Sequence, residues 1–249
     1  MPADAAQQAV AQLQSQGFAI VPDVVAGESL KRFRTLIEAA REETTDASVS
    51  NSSDTYGLRN LTDVVPEIES LVTEPGVVAL VTAVLGANAF MVRATLFDKT
   101  EGANWGVFWH QDLSIAVQEK CELDGYSAWT KKAGVTCVQP PIEIMQRILT
   151  VRIHLDDCTA ANGALKVLPG SHTLGRVRSA SIGSEQTFEA VTCEVPEGGG
   201  LLMRPTSLHA SSRMDEPRPR RVIHFEFADF ELPEPLKWQF RVPILPTAP

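Results

Sequence analysis

The sequence predicts a mainly β protein with flanking helices, a double-stranded β-helix (a cupin-like jelly roll) covered by N-terminal helices. Helical periodicity is concentrated in residues 1–88, whereas short strand signals dominate residues 89–230. Within the strand-rich part, apolar and polar side chains alternate in a way that gives each strand two different faces. We therefore expect a single domain over residues 1–249, with 1–88 as its helical N-terminal portion and 89–230 as its jelly-roll core.

The bulk composition is that of an ordinary globular protein. The chain has 249 residues, of which 44% are hydrophobic and 21% charged, so it can bury a sizeable core. The formal net charge of −9 argues against a nucleic-acid partner, because phosphate binding draws on clustered Lys and Arg. No apolar run approaches the ~18 residues of a membrane span, and the start of the chain lacks a signal-peptide pattern. The expectation is a cytoplasmic protein with a small-molecule substrate and no membrane partner, in an oligomeric state that the sequence leaves unknown.

Three helices are predicted in the N-terminal portion. The periodic segments begin near residue 4, at Gly27 and at Pro75, and the first and third stop at Gly17 and Gly86. Glycine commonly ends a helix, and proline is favoured in the first turn. A short strand is expected directly after the first helix, at residues 18–21.

A loop is expected at residues 44–57, which are rich in Ser, Thr, Asp and Asn, and it could border a substrate entrance.

Eight strands are predicted after the helices, at residues 89–98, 106–112, 147–157, 164–168, 187–195, 200–204, 207–212 and 220–228. The polar faces of two of them carry Arg152, His154 and Asp156, and Arg220, His224 and Glu226. We expect the apolar faces to pack under the helices and the polar faces to line a cavity. The alternative is that the polar faces meet solvent, as one face of an antiparallel sheet commonly does.

The segment Phe108-Trp109-His110-Gln111-Asp112 carries the main functional signal. Residues two apart on a strand point to the same face, so His110 and Asp112 would lie side by side. An imidazole and a carboxylate are two of the three protein ligands in the 2-His-1-carboxylate triad of non-haem Fe(II) oxygenases. The third ligand must be a distant histidine, and His209, which follows a Gly-rich turn and an apolar run, is the leading candidate. Taken alone, His-x-Asp is also compatible with a hydrogen-bonded surface pair.

Several segments together resemble the phytanoyl-CoA dioxygenase family. They are Trp109-His110-Gln111-Asp112, Asn162-Gly163-Ala164-Leu165 leading to Pro169-Gly170-Ser171-His172, and His209 followed by Arg220, and they span about residues 90–228. The resemblance implies an Fe(II)- and 2-oxoglutarate-dependent dioxygenase in which His110, Asp112 and His209 bind the metal. It implies that 2-oxoglutarate and dioxygen are consumed, that an unactivated carbon of a small organic or acyl-linked substrate is hydroxylated, and that succinate and CO2 are released.

The resemblance also indicates residues for the co-substrate. Arg220 stands at the family's spacing from His209, and an arginine can bind a carboxylate through two parallel hydrogen bonds. Arg221 would face the opposite side of the strand and snorkel outside. Ser211 shares a face with His209 and occupies the position from which the family supplies a hydroxyl, the alternative being a turn hydrogen bond.

Other polar residues receive weaker assignments. Arg152 stands where some relatives have a tryptophan beside the co-substrate, and it would either pair with Asp156 or bind substrate. Thr95 and Lys99 precede the metal strand where relatives line the cavity. His154 and His224 are expected to be inward-facing histidines without a metal, and His172 is expected to have a structural role in a turn.

Residues 113–146 show no regular pattern between the first ligands and the next strand. Loops of this length are usually functional or disordered. Tyr126 and Trp129 favour an ordered lid, in which residues 118–142 recognise the substrate, over a mobile surface insertion.

Two other functions fit part of the pattern: a jelly-roll metalloenzyme of isomerase or hydrolase type, and a non-enzymatic ligand-binding jelly roll. Arg220 favours the oxygenase, because neither alternative needs an inward carboxylate clamp at that position. Asp112 favours hydroxylation, because related halogenases leave that ligand position open with Gly or Ala. The sequence leaves open which substrate is used and whether it is linked to coenzyme A.

Overall fold

A computed structural model describes residues 3–42, 48–50, 55–100, 104–178, 189–216 and 218–245 of the chain. Its helices are α1 (Ala3–Gln16), α2 (Gly27–Glu42), α3 (Leu61–Val64), α4 (Glu69–Val72), α5 (Pro75–Leu85) and α6 (Ile142–Arg147). Its strands are β1 (Phe18–Val21), β2 (Ser48–Ser50), β3 (Thr55–Leu58), β4 (Phe90–Lys99), β5 (Val107–His110), β6 (Ile115–Val117), β7 (Ser127–Lys132), β8 (Val135–Gln139), β9 (Leu149–His154), β10 (Leu165–Val167), β11 (Val191–Cys193), β12 (Gly200–Met203), β13 (His209–Ser211), β14 (Arg220–Ala228) and β15 (Val242–Pro243).

The described strands form three antiparallel sheets. The large sheet has the order β1-β12-β9-β14-β4-β3-β2, with β15 also paired to β4, and the second sheet has the order β11-β10-β13-β5. Side chains of both sheets meet in one apolar cluster, formed by Phe18, Leu201 and Met203 from the large sheet and Leu165, Val167 and Cys193 from the second. Two antiparallel sheets packed face to face, with helices outside, confirm the predicted fold class.

The N-terminal helices cover the outer face of the large sheet. Phe33 and Ile37 of α2, Leu80 of α5 and Ile223 and Phe225 of β14 are all fully or almost fully buried in one apolar cluster. Complete burial of a side chain of this size contributes about 1.5–3 kcal/mol. Helical spacing on α2 and strand alternation on β14 thus direct their apolar residues to the same core, as predicted.

Gly17 ends α1 as expected. Its φ of +84° is in the left-handed region, and its N–H donates to the Leu13 carbonyl at 2.9 Å. This turn leads directly into β1, which pairs with β12, so the helical portion contributes a strand to the large sheet.

The polar faces of β9 and β14 point into the protein. Arg152, His154, His224 and Glu226 are only 2–6% exposed. The alternative that these faces meet solvent is therefore wrong. All eight predicted strands overlap observed ones, although residues 187–188 of the fifth prediction lie outside the described residues.

Residues 113–146, for which the sequence shows no regular pattern, are largely regular in the structure. They form a third sheet, of order β6-β8-β7, followed by α6. Strands β7 and β8 are joined by Ala133 and Gly134, whose φ angles are +47° and +80°. Two positive φ angles in a two-residue connection define the hairpin turn that matches strand twist. The pattern was missed because β7 is exposed at most positions and shows no apolar alternation.

The predicted loop at 44–57 contains β2 and most of β3, and residues 44–47 and 51–54 of it lie outside the described residues. Strand β3 pairs with β4 through Gly57 and Phe97, which extends the large sheet.

No single described helix is long and apolar enough to cross a membrane. The helical segments Pro66–Val72 and Pro75–Leu85 are long and apolar enough for a membrane span only when taken together, and they meet at a bend of 65°.

Candidate metal and co-substrate site

The structure brings His110, Asp112 and His209 together, as the sequence predicted. His110 of β5 lies opposite His209 of β13, and the Asp112 N–H donates to the Pro205 carbonyl at 2.9 Å, which fixes the chain just beyond β5. The Asp112 carboxylate lies 3.8 Å from His110 Nε2 and 3.5 Å from His209 Nε2. One ligand atom from each residue lies within 4.8 Å of the others, so the three side chains converge on one point.

The two imidazoles are oriented for metal binding by their other ring nitrogens. His110 Nδ1 lies 2.8 Å from the Phe108 carbonyl, and His209 Nδ1 lies 2.9 Å from the Ser207 carbonyl. A carbonyl only accepts hydrogen bonds, so each Nδ1 carries a hydrogen, and each Nε2, on the side of Asp112, is the nitrogen available to a metal. Metal-binding histidines are commonly held in this way, and two imidazoles with one carboxylate fit a divalent iron.

The electrostatics of the site favour the protonation states that a metal needs. Burial would raise the pKa of Asp112, but the neighbouring His209, followed by His224 and His110, lowers it to about 2. Burial lowers the pKa of His209 to about 4, although Asp112 opposes this shift. At neutral pH the site therefore offers a carboxylate and a neutral imidazole.

A cavity of about 100 Å³ adjoins the three residues, between the two facing sheets. Arg152, Ser211 and Arg220, which the sequence assigned to the co-substrate, all line it. The structure thus places these three side chains beside the candidate metal ligands.

Arg220 is almost completely buried in this cavity. Its Nη1 donates to the Gly163 carbonyl, whereas its Nε has no hydrogen-bond partner among the described residues. Burial lowers the pKa of Arg220, which reflects the cost of holding a guanidinium away from water. An anion bound in the cavity would offset that cost.

Arg221 faces away from the cavity, as predicted, but it does not snorkel into solvent. It is buried beneath α2, where its guanidinium donates to Asp156 at 2.7 and 2.8 Å and to Glu38 at 2.6 Å. The prediction was wrong because α2 covers this side of β14 and brings Glu38 over it. Asp156 is occupied by Arg221, and Arg152 instead lies with its Nη1 3.0 Å from His224 Nδ1.

Lys99 contributes a further basic group to the cavity. It is completely buried at the end of β4, and its Nζ donates to the Ser211 hydroxyl at 3.0 Å and to the Ser212 carbonyl at 2.6 Å. Burial, followed by the neighbouring Arg220, lowers the pKa of Lys99 to about 7. The resemblance placed Lys99 where relatives line the cavity, and the Ser211 hydroxyl is a partner of this lysine.

A second, larger cavity of about 360 Å³ opens beside the first. Asp112, Phe97 and Trp105 line both cavities. Thr95, which the sequence placed with the co-substrate, lines the larger cavity instead of the smaller one. Sequence reasoning missed Arg59, Arg93 and Lys132 in this lining, because no motif marks them.

The remaining histidines do not join the metal-binding group. His154 is buried and neither ring nitrogen has a partner among the described residues. His224 is packed beside Phe97, with ring centroids 5.6 Å apart. His172 Nε2 lies 3.2 Å from the Gln14 carbonyl, which fits the predicted structural role.

Solved structures share the fold of this chain at low sequence identity. The non-heme α-ketoglutarate-dependent epimerase SnoN from nogalamycin biosynthesis has a TM-score of 0.70 at 15% identity, covering 92% of this chain and 82% of SnoN. EctD from S. alaskensis, in a complex with 2-oxoglutarate and 5-hydroxyectoine, has a TM-score of 0.69 at 17% identity, covering 92% and 78%. AviO1 from Streptomyces viridochromogenes Tue57 has a TM-score of 0.63 at 20% identity, covering 90% and 94%.

The cofactors named for these structures agree with the predicted ones. Another SnoN structure contains Fe³⁺ and α-ketoglutarate, and another EctD structure contains iron. No curated protein sequence matches the chain significantly. A model of the phytanoyl-CoA dioxygenase (PhyH) family does match, over residues 13–222. Since this match runs from α1 to β14 and includes both strands that carry the candidate ligands, the chain belongs to the phytanoyl-CoA dioxygenase family.

Proposed function

We propose that this protein is an Fe(II)- and 2-oxoglutarate-dependent dioxygenase that hydroxylates an unactivated carbon of a small organic or acyl-linked substrate and releases succinate and CO2. One observation carries the proposal. The ligand atoms of His110, Asp112 and His209 lie within 4.8 Å of one another. They adjoin a small cavity lined by the buried Arg220, whose Nε has no hydrogen-bond partner among the described residues.

His110, Asp112 and His209 would hold the iron through Nε2, a carboxylate oxygen and Nε2. When bound, Fe(II) with 2-oxoglutarate and dioxygen supplies the oxidising chemistry. The protein contributes orientation: the Phe108 and Ser207 carbonyls fix the two rings, and the backbone bond to Pro205 fixes Asp112. The Phe108 carbonyl lies in β5, whereas the Pro205 and Ser207 carbonyls lie in the turn between β12 and β13.

The small cavity has the charge needed for a dicarboxylate. Arg152, Arg220 and Lys99 line it, and Asp112 is the anion among its described lining residues. Arg152 and Arg220 against one carboxylate leave an excess of positive charge in a buried space, and Lys99, whose pKa is lowered to about 7, adds to it when protonated. A bound anion would offset this charge. We assign Arg220 to one carboxylate of 2-oxoglutarate, with Ser211 and Lys99 beside it, because the Arg220 Nε is uncommitted.

This charge balance favours the oxygenase over the isomerase, hydrolase and simple ligand-binding alternatives, which do not require such a carboxylate clamp. The first 88 residues belong to the same functional unit in this proposal, because β1 pairs with β12 and β3 pairs with β4. We therefore treat 1–249 as one catalytic domain.

The test is succinate formation from 2-oxoglutarate in the presence of Fe(II), dioxygen and a small-metabolite mixture. We expect formation that depends on the metal and is lost in His209→Ala but retained in His172→Ala, whose ring lies outside the site. Equal formation in the parent and in His209→Ala would contradict the proposal.

A further inference from the structure

The larger cavity carries polar groups that the proposed chemistry does not use. Its volume is about 360 Å³, and Asp112 is one of the residues that line it. The wall includes Arg59 from the segment after β3, Arg93 of β4, Lys132 of the β7–β8 hairpin and Glu226 of β14. Separate parts of the chain therefore bring charged side chains to a single cavity next to the candidate metal ligands.

Glu226 offers an unused hydrogen-bond acceptor to this cavity. It is 2% exposed, and its Oε1 accepts a hydrogen bond from Arg93 Nη1 at 3.0 Å. Its Oε2 is buried and has no partner among the described residues. An unsatisfied buried acceptor destabilises a protein, and more so when it is charged. A ligand N–H or O–H placed against Oε2 would recover that free energy.

Arg59 and Lys132 offer uncommitted positive charge. Neither forms an ion pair within the parts of the chain that the structure describes, whereas Arg93 is paired with Glu226. Two such cations at one cavity contrast with a chain whose net charge is −9. They favour an anionic group, and arginine in particular suits the planar oxygen pairs of carboxylates and phosphates.

The remaining lining limits the size and character of a ligand. A volume of about 360 Å³ is near the lower end of the range of roughly 300–1,000 Å³ for small-molecule sites. Phe97 and Trp105 provide an apolar wall at the side shared with the smaller cavity. A long apolar acyl chain would satisfy neither Glu226 nor Arg59.

We propose that the substrate is a small polar oxyanion, a carboxylate or phosphate ester, that also carries a hydroxyl or amino donor. Its donor binds Glu226 Oε2, and its oxyanion binds Arg59 with support from Lys132. Glu226 and Arg59 are thus specificity-determining residues. This inference rests on the proposed function, because it treats the cavity beside Asp112 as the substrate site.

The test uses sets of matched probes with the Fe(II)-loaded protein and 2-oxoglutarate. Each set contains a hydroxy or amino acid, its methyl ester without the anion, its analogue without the donor, and the corresponding phosphate ester. Binding is measured by the shift in thermal unfolding midpoint and by calorimetric titration. We expect the complete acid or the phosphate ester to bind about tenfold more tightly than the ester and the donor-free analogue, since each lost interaction of ~1.4 kcal/mol is tenfold in Kd. The acid and phosphate arms identify which oxyanion is preferred.

The variants assign the preference to residues. Arg59→Met should abolish the preference for the acid over the ester, and Lys132→Met should reduce it. Lys131→Met, on the same strand but absent from the cavity lining, should leave it unchanged. Glu226→Gln should remove the preference for the acid over its analogue without the hydroxyl or amino donor. Because Glu226 also pairs with Arg93, retained 2-oxoglutarate binding shows that this variant is folded, and Arg59→Met tests the proposal separately.

Two results would overturn this inference: no probe binds more tightly than its ester, or Arg59→Met keeps the preference of the parent. Failure of the parent to bind 2-oxoglutarate with Fe(II) is a different result, which contradicts the proposed function. Probe binding does not require turnover, so the two failures are distinguishable.

Discussion

His110 and His209 lie opposite each other on the paired strands β5 and β13, with ring centroids 4.2 Å apart. Each ring is hydrogen-bonded to the carbonyl two residues earlier on its own chain segment, Phe108 and Ser207. Strand pairing therefore sets the separation of the two rings, and local backbone sets their orientation. Removal of one imidazole should leave the other in place.

The neighbouring residues Arg220 and Arg221 should have separable effects. Arg220→Ala should weaken 2-oxoglutarate binding by about 2–5 kcal/mol, the usual cost of truncating one partner of a buried charged pair. Arg221→Ala should leave that affinity nearly unchanged but lower the free energy of unfolding by about 3 kcal/mol, because Asp156 loses its main partner. Anaerobic titration with 2-oxoglutarate and urea unfolding measure the two effects. Weaker co-substrate binding in Arg221→Ala than in Arg220→Ala would contradict the assignment.

Gly163 should be required for the position of Arg220. Its φ is +79°, and an added Cβ would lie 2.8 Å from the Ser212 carbonyl oxygen and 3.2 Å from Lys99 Nζ. Since Arg220 donates to the Gly163 carbonyl, Gly163→Ala should weaken 2-oxoglutarate binding about tenfold as well as destabilise the fold. Gly134 has a similar φ of +80°, and an added Cβ there would meet open space. Gly134→Ala therefore controls for backbone strain alone. Equal affinities in the two variants would contradict this role.

The ion pair between Asp156 and Arg221 should make the stability of the protein depend on pH in the acid range. Burial would raise the pKa of Asp156, but hydrogen bonds from Arg221, followed by its charge, lower it below the ordinary 3.8. The unfolded chain then binds a proton more readily than the folded one. The contribution is therefore complete above the ordinary pKa and is lost as pH falls through the folded pKa. From about pH 5 to about pH 2, the free energy of unfolding should fall more steeply in the parent than in Asp156→Asn. If urea unfolding gives the same pH dependence of the free energy of unfolding in the parent and in Asp156→Asn, the ion pair does not contribute in this way.

The β7–β8 hairpin should control coupling of co-substrate consumption to product. Lys132 and Cys137 line the larger cavity, whereas Trp129 packs against an apolar cluster beneath the hairpin. Replacement of residues 124–138 by a Gly linker should spare iron and 2-oxoglutarate binding but expose the cavity to water. The ratio of succinate to hydroxylated product should then rise. Trp129→Ala should act in the same direction by loosening the hairpin. An unchanged ratio with unchanged substrate affinity would assign recognition to β9 and β14 instead.

Much of the site could be predicted because its signals are local. His110 and Asp112 are only two residues apart in the sequence, although β5 ends at His110 and Asp112 lies just beyond it. Strand alternation separates Arg220 from Arg221. The alternation on β9 and β14 also predicted which faces enter the core, since a slip of one residue would bury the wrong set.

What could not be predicted depends on contacts between distant segments. Whether Arg221 is solvated or ion-paired depends on α2, which brings Glu38 over β14. In the β7–β8 hairpin the two strands pair with each other, and β8 also pairs with β6. The exposed strand β7 has no apolar pattern that would predict it. Arg59 and Lys132 are remote in sequence, and only the folded chain places them in one cavity.

The visible absorption spectrum of the anaerobic protein with Fe(II) and 2-oxoglutarate tests the central assignment most directly. The three ligands would leave adjacent positions on the iron for a chelating oxoacid, so a metal-to-ligand charge-transfer band is expected in the parent and in the control His172→Ala. The band should be absent from His110→Ala, Asp112→Ala and His209→Ala at the same concentrations. Persistence of the band in all three ligand variants would contradict the account.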